Sequence, residues 1–304
     1  MLNVERLRML VAVDQHGSIT AAAKALHMTP SAISQQLKIL STEAKATIVE
    51  ALPTGVRCTP AGKLLVSHAI RILDELKQAE HSLAELNGQE IEEVRFACFP
   101  AATDSLVPEI LRLIAKQHPT AALSFDVMRS PVALRALCDG AVDAALVARY
   151  PGDPAPGRDL RMVDLGNDLL VAAMPTEHPL TQGQSVQLSH LTDIPLLLES
   201  SGSPFCQLFL AACADAGITP QIRAWSPQAN VALDMVAQGV GIALLPAMTI
   251  DSIPAGITAA PLSPAIKRTV TLAFRASTER SRVIDALVSS SRQAARTKLG
   301  YKGY

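Results

Sequence analysis

Apolar side chains recur at helical spacing from the first turn of the chain. Val4, Leu7, Leu10 and Val11 mark a helix over residues 4–15. Gly17 breaks it, and Ser18 stands where an N-cap would open a second helix, the alanine-rich run 18–27. Thr29-Pro30 reads as an N-cap followed by proline at the first helical position of a third helix. Ile33, Leu37 and Leu40 form its buried stripe. Alanines 21, 22, 23 and 25 let the second and third helices approach closely. The outward face of the third helix carries Ser31, Ser34, Gln35 and Lys38, groups that can bond base edges and phosphates in a major groove. A small polar-faced helical bundle would use the same spacing. Residues 47–60 add two β-prone runs around Pro53-Thr54-Gly55, which reads as a hairpin. That hairpin makes the motif a winged one, with Arg57 placed to touch phosphate.

Residues 61–86 hold the most regular pattern. Leu65, Ala69, Ile72, Leu76, Ala79, Leu83 and Leu86 alternate steps of four and three, an a/d seam. Such a helix extends ~40 Å. Arg71, Asp74, Glu75, Lys77, Glu80 and Glu85 are expected on its solvated flanks. A stripe this narrow suits pairing with a twin helix better than a globular core. Asn87-Gly88 ends it.

The remaining chain alternates strands and helices, the mark of α/β architecture. Strands are expected at 94–99, 122–128, 142–148, 168–175, 194–200, 221–225, 241–246 and 268–274, with a last helix at 279–298. Ser130-Pro131, Ser203-Pro204 and Ser226-Pro227 each read as a cap with an N1 proline, and Gly140, Gly217 and Gly239 close the three helices. All three starts follow strand ends, where an open α/β sheet gathers its ligand crevice. Helix N-termini there would favour a small anion.

Composition narrows the classes. Of 304 residues 49% are hydrophobic and 18% charged, which suits an ordinary globular chain of two or three domains. Only 3% are aromatic, which argues against a stacking reader of single strands. The net charge of −1 hides basic ends: residues 1–63 hold seven Lys/Arg against four acids, and residues 265–304 hold nine against two. No apolar run is long enough to span a membrane and the N-terminus lacks signal-peptide features, so a cytoplasmic location is expected. The five cysteines are scattered, and the seven histidines form no metal-ligand spacing. No nucleophile elbow, phosphate loop or dinucleotide fingerprint occurs, so neither an enzyme nor a cofactor is expected.

The run LRMLVAVDQHGSITAAAKALHMTPSAISQQLKIL, the VRCTPAG segment and the heptad helix together resemble the DNA-binding head and linker of LysR-type transcriptional regulators. CDGAVDAALV, TEHPL and VAQGVGIALLP extend the resemblance through most of the chain. It implies an α plus α/β fold: a winged helix-turn-helix at 1–60, a linker and dimerisation helix at 61–88, and a periplasmic-binding-protein-like effector domain at 92–304. Within that domain, subdomain I would be about 92–162 with 268–304, and subdomain II about 163–267. Double-stranded promoter DNA is the implied partner, met by Ser18, Thr29, Pro30, Ser31, Ser34, Gln35, Lys38 and Arg57. A small effector, a carboxylate or amino acid, would lie between the subdomains. The loop Pro100, Ala101, Ala102, Thr103 with Ser130 and Arg149 would line one wall, and Ser201, Gly202, Ser203 and Ser226 the other. Arg129 is a second cation suited to a carboxylate. The resemblance further implies a homodimer or homotetramer, with RNA polymerase a candidate partner.

Departures stand out before the wing, where Lys45, Val49 and Ala51 occupy positions at which the family usually keeps Gly, Phe and Arg. Some LysR relatives sense peroxide with two cysteines in the second subdomain. Here Cys206 and Cys213 share one expected helix, ~10.5 Å apart along its axis, too far for a bridge. The reactive position of that subfamily corresponds to Pro204. Two rival readings stay open, a solute-binding protein and an enzyme on the α/β scaffold.

Overall fold

The capped stretches at the N-terminus form α1 (Val4–His16), α2 (Ile19–Ala25) and α3 (Pro30–Ala44). The computed structural model describes residues 1–52, 55–86, 93–155, 157, 159–226, 228–250, 253–279 and 281–299. Asn3, Ser18 and Thr29 each cap their helix through the side chain, accepting from the backbone N–H of Arg6, Ala21 and Ala32. Ile33, Leu37 and Leu40 are buried against Leu7, Leu10 and Ile48. Only two of the four alanines, Ala22 and Ala23, are buried at the contact; Ala21 and Ala25 face outward.

Two short strands, β1 (Val49–Leu52) and β2 (Gly55–Cys58), pair as the wing. Pro53 and Thr54, at the tip, lie outside the described residues. Thr59 accepts from the Gly62 N–H at 3.0 Å and opens α4 (Pro60–Leu86). At Gly62 a Cβ would lie 1.9 Å from the Ile48 carbonyl oxygen, so only glycine lets α4 seat against the wing. Asn87 and Gly88, the expected end of the linker, fall outside the described residues.

The chain then builds β3 (Glu93–Cys98), α5 (Pro100–Ser105), α6 (Val107–Gln117), β4 (Ala122–Val127), α7 (Ser130–Cys138), β5 (Ala144–Arg149) and β6 (Leu160–Pro175). There follow β7 (Val186–Gln187), β8 (Pro195–Leu198), α8 (Pro204–Asp215), β9 (Gln221–Trp225), α9 (Ala229–Ala237), β10 (Ile242–Pro246), β11 (Ile257–Ser263), β12 (Lys267–Arg275) and α10 (Arg282–Lys298). The strands order as β4-β3-β5-β12-β6-β10-β8-β9, with β11 also against β6. Alternation along β3 sends Val94, Phe96 and Cys98 to one core and Ala97 to the core on the other face.

Two expectations need correction. Residues 100–103 form the first turn of α5 rather than a loop. Near the expected boundary at about 163, residues 160–169 pair with β12, and residues 170–175 pair with β10 and β11. β6 is thus one sixteen-residue strand shared by both subdomains. Asp74, expected among solvated flank charges, is buried against Arg275 of β12. That contact seats the linker helix on subdomain I, and the Gln15 side chain adds a bond to the Asp139 carbonyl.

Lys45 closes α3 in the left-handed region at φ +51°. The Ala46 N–H donates to Ser41 and the Lys45 N–H to Ser41 and Thr42, a Schellman ending that favours glycine. This backbone demand accounts for the glycine usual at that position. Lys45→Gly is therefore expected to stabilise the head by about 0.5–1 kcal/mol. A urea midpoint that fails to rise would contradict this.

Candidate nucleic-acid interface and ligand cleft

The outward face of α3 is built from the same periodicity that makes its core stripe. With Ile33, Leu37 and Leu40 turned inward, Ser31, Gln35 and Lys38 are exposed and Ser34 is half-buried. Pro30 and Thr29 are exposed at the start of the helix, and the Thr29 hydroxyl lies 3.1 Å from that of Ser31. Ser18 is half-buried at the start of α2. Arg6 of α1 holds α3 from behind: its Nε donates to Gln36 at 2.9 Å and its Nη1 to Glu43 at 2.5 Å. Arg57 is exposed on the wing, where its guanidinium binds Glu50 across the strand pair at 2.7 Å.

The heptad seam of α4 divides. Ala69 is fully buried in the head core and Leu65 packs partly against it, so these two serve the chain's own fold. Ile72, Leu76, Ala79 and Leu83 remain exposed, Leu83 by 61%. The side chains of Leu86, Lys77 and Glu85 lie outside the described residues.

Between the subdomains lies a buried cluster that the sequence does not disclose. Arg268 of β12 sits with its guanidinium carbon 4.9 Å from the Phe99 ring centroid and 4.7 Å from that of Phe205. Phe99 belongs to the core of subdomain I and Phe205 to that of subdomain II. The guanidinium meets Asp168 at 2.8 Å and donates to the Tyr150 hydroxyl at 3.2 Å, and the Met248 N–H donates to Asp168 at 2.9 Å. Burial works to lower the Arg268 pKa, but Asp168 and Tyr150 hold it above its ordinary value. Burial raises the Asp168 carboxyl, with Arg268 and the Met248 N–H pulling against that rise. Two aromatic faces and one carboxylate therefore hold a cation at the junction of the two halves.

The expected ligand residues fall unevenly between buried and exposed positions. Pro100 is exposed and Ala101 and Thr103 are half-buried, but Ala102 is wholly buried in the subdomain I core and cannot touch a ligand. Ser130 is the first residue of α7, not its cap, and its hydroxyl oxygen accepts from the Ala148 N–H at 2.9 Å. Ser203 does stand at the cap position of α8, yet its hydroxyl donates to Glu199 at 2.7 Å and leaves the helix end uncapped. Ser226 donates to the Gln228 carbonyl, and Gln228 takes the cap position of α9; Pro227 lies outside the described residues. The repeated Ser-Pro pattern thus marks helix starts without side-chain capping. Ser201 and Gly202 are exposed. Arg129 donates to the Gly202 carbonyl at 2.8 Å, a bond that joins the two subdomains. Arg149 is half-buried, 3.9 Å from Asp164.

Residues 4–63 match the family described as bacterial regulatory helix-turn-helix protein, lysR family, and residues 87–296 match the LysR substrate binding domain. The chain belongs to the LysR family. As a LysR regulator it combines a helix-turn-helix domain with an effector-binding domain, and it is a transcriptional regulator rather than an enzyme. It is 29% identical over 252 residues to the HTH-type transcriptional regulator BenM of Acinetobacter baylyi, covering 82% of this chain and 81% of that one. It is 27% identical over 303 residues to a probable hydrogen peroxide-inducible genes activator of Mycobacterium avium, covering 96% of each. The solved structure of a full-length OxyR variant from Pseudomonas aeruginosa superposes with a TM-score of 0.77 at 26% identity, covering 99% of each chain. Among the described residues no helix is long and apolar enough to cross a membrane.

This LysR chain keeps four of its five thiols covered. Cys206 and Cys213 are both buried on α8, and burial raises both. Burial and the neighbouring Asp14 push the Cys58 thiol up to about 12. Cys98 is also buried and raised by burial; Cys138 is exposed, although partial burial and the neighbouring Asp139 raise its thiol too. Ellman's reagent at pH 8 is expected to titrate Cys138 alone in the native protein, with the other four reacting after denaturation. Peroxide treatment followed by peptide mapping should yield no Cys206–Cys213 disulfide; finding that crosslink would contradict the assignment of packing roles.

Proposed function

We propose that this regulator binds promoter DNA as a twofold pair, with α3 of each chain in the major groove. Ser31, Ser34 and Gln35 contact base edges, while Lys38 and Arg57 contact phosphates and Ser18, Thr29 and Pro30 approach the backbone. The observation that carries this reading is the division of α3 into a buried apolar stripe and an exposed amide, hydroxyl and ammonium face. Ile72, Leu76, Ala79 and Leu83 form the part of the α4 seam available to a twin helix. Exposed apolar groups at both edges of the effector-domain sheet support further pairing into a tetramer. They are Phe125 and Val127 on β4 at one edge and Trp225 on β9 at the other.

The ligand in this reading is a small carboxylate or amino acid between the subdomains. Arg129 and Arg149 supply the cations, and Ala101, Thr103, Ser201 and Gly202 the surrounding wall. Ligand binding favours one arrangement of the subdomains over another and so biases the heads on DNA. RNA polymerase is then contacted from the occupied promoter.

Fluorescence anisotropy across a salt series tests the DNA reading. Lys38→Ala is expected to flatten the slope of log K against log salt by about 0.9 for each phosphate that the ammonium neutralises. Gln35→Ala should narrow the preference for specific over bulk duplex by about 1–3 kcal/mol. An unchanged slope with Lys38→Ala and an unchanged preference with Gln35→Ala would remove α3 from the interface.

A further inference from the structure

Strand β12 carries a buried arginine near each end. Arg268 lies at the subdomain junction, and Arg275 lies seven positions away, about 23 Å along the strand. Each is 5% exposed and each meets a buried carboxylate. At the far end, Nε and Nη2 of Arg275 donate to Asp74 at 2.5 and 3.0 Å. Its Nη1 donates to the carbonyls of Leu137 and Val142 at 2.6 and 2.9 Å. The Ser277 hydroxyl adds a bond to Asp74 at 3.1 Å. One planar fork thus holds the middle of α4, the end of α7 and the approach to β5 together.

Asp74 is the point at which the DNA-binding half is fixed to the effector-binding half. Upstream of it, Val66, Ala69 and Ile70 bury α4 in the head core, so head and helix move as one body. Two other polar ties to subdomain I, among the described residues, are weaker. Arg71 stands 3.9 Å from Asp159 with both side chains largely exposed, and Gln15 bonds a surface carbonyl. An exposed pair of that kind holds orientation poorly. A bidentate arginine–carboxylate pair sealed from water has one good geometry, and removing either partner strands the other.

We propose that Asp74 and Arg275 are positioning residues for DNA recognition. By locking the angle of α4 on subdomain I, they set the separation of the two α3 helices and hence the half-site spacing the protein accepts. This rests on the reading of paired α3 helices on promoter DNA. Because Arg268 lies between Phe99 and Phe205 on the same strand, β12 also joins the subdomain junction to this joint.

The test begins with selection of a two-half-site duplex from a random library by the full-length wild-type chain. Fragments with zero to four base pairs inserted between the half-sites are then compared. The wild-type chain is expected to lose at least tenfold in affinity on a two-base-pair insertion. Asp74→Asn, which keeps the side-chain size, is expected to bind the best fragment within about threefold and to lose less than threefold on insertion. Ser277→Ala leaves the ion pair intact and should keep the wild-type penalty. If Asp74→Asn does not fold, Arg275→Lys carries the same test, since an ammonium cannot serve the carboxylate and both carbonyls in one plane. A variant that loses affinity equally at every spacing, or a wild-type chain indifferent to spacing, overturns the proposal. Selection that returns no preferred sequence overturns the DNA-binding reading itself.

Discussion

A single antiparallel strand pair, β6 with β12, runs through the middle of the effector domain, and most of the architecture is arranged around it. Its register carries Lys267 opposite Leu169 at one end and Arg275 opposite Leu160 at the other. Beyond residue 169 the same β6 strand continues into the second subdomain and pairs with β10 and β11. The cross-strand neighbours Asp168 and Arg268 sit where the two halves part, and Arg275 reaches out to the linker helix. Buried pairs of this type add little net stability over apolar packing, but they tolerate small changes in geometry badly. They are therefore suited to holding orientation between parts, which is what a two-subdomain regulator with an attached head requires.

The head solves a different problem. Its α3 must be rigid enough to keep a register on DNA while leaving one face unpacked. Three inward side chains and the Arg6 clamp on Gln36 and Glu43 hold the helix from one side only. The outward face keeps short hydroxyls, one amide and one ammonium, a set with low entropy cost on ordering apart from Gln35 and Lys38. Lys45 accepts a left-handed conformation at the end of this helix, so the fold carries a small local strain beside the recognition face.

Much of this is legible in the chain itself, for physical reasons. Caps, N1 proline and the i, i+4, i+7 stripe are local signals, and α1 to α3 follow them closely. The strands 221–225, alternating polar and apolar, and 241–246, an apolar run, are each bounded by turns, and they appear within a residue of their expected limits. The long β6 reads short in the sequence because Asp164, Gly166 and Asn167 interrupt its apolar run, and because those polar residues find distant partners in β12: Thr271 donates to Asp164, and Thr269 to Asn167. β11 escapes notice because its Ala- and Pro-containing sequence lacks β-branched alternation. The two structural arginines are invisible for a deeper reason. Asp74 and Arg275 are 201 positions apart, and Asp168 and Arg268 are 100 apart. No local pattern distinguishes a charge that will be buried against a distant partner from one that will be solvated.

Function in this reading depends on two copies of α3 gripping one face of a duplex at a fixed separation. Hydroxyl-radical footprinting of the full-length protein on its selected duplex addresses this directly. Two short protected segments per strand are predicted, related by a dyad and centred about one helical turn, or a whole multiple of it, apart. A single protected segment without twofold symmetry, or uniform weak protection matching that on bulk duplex, would contradict it.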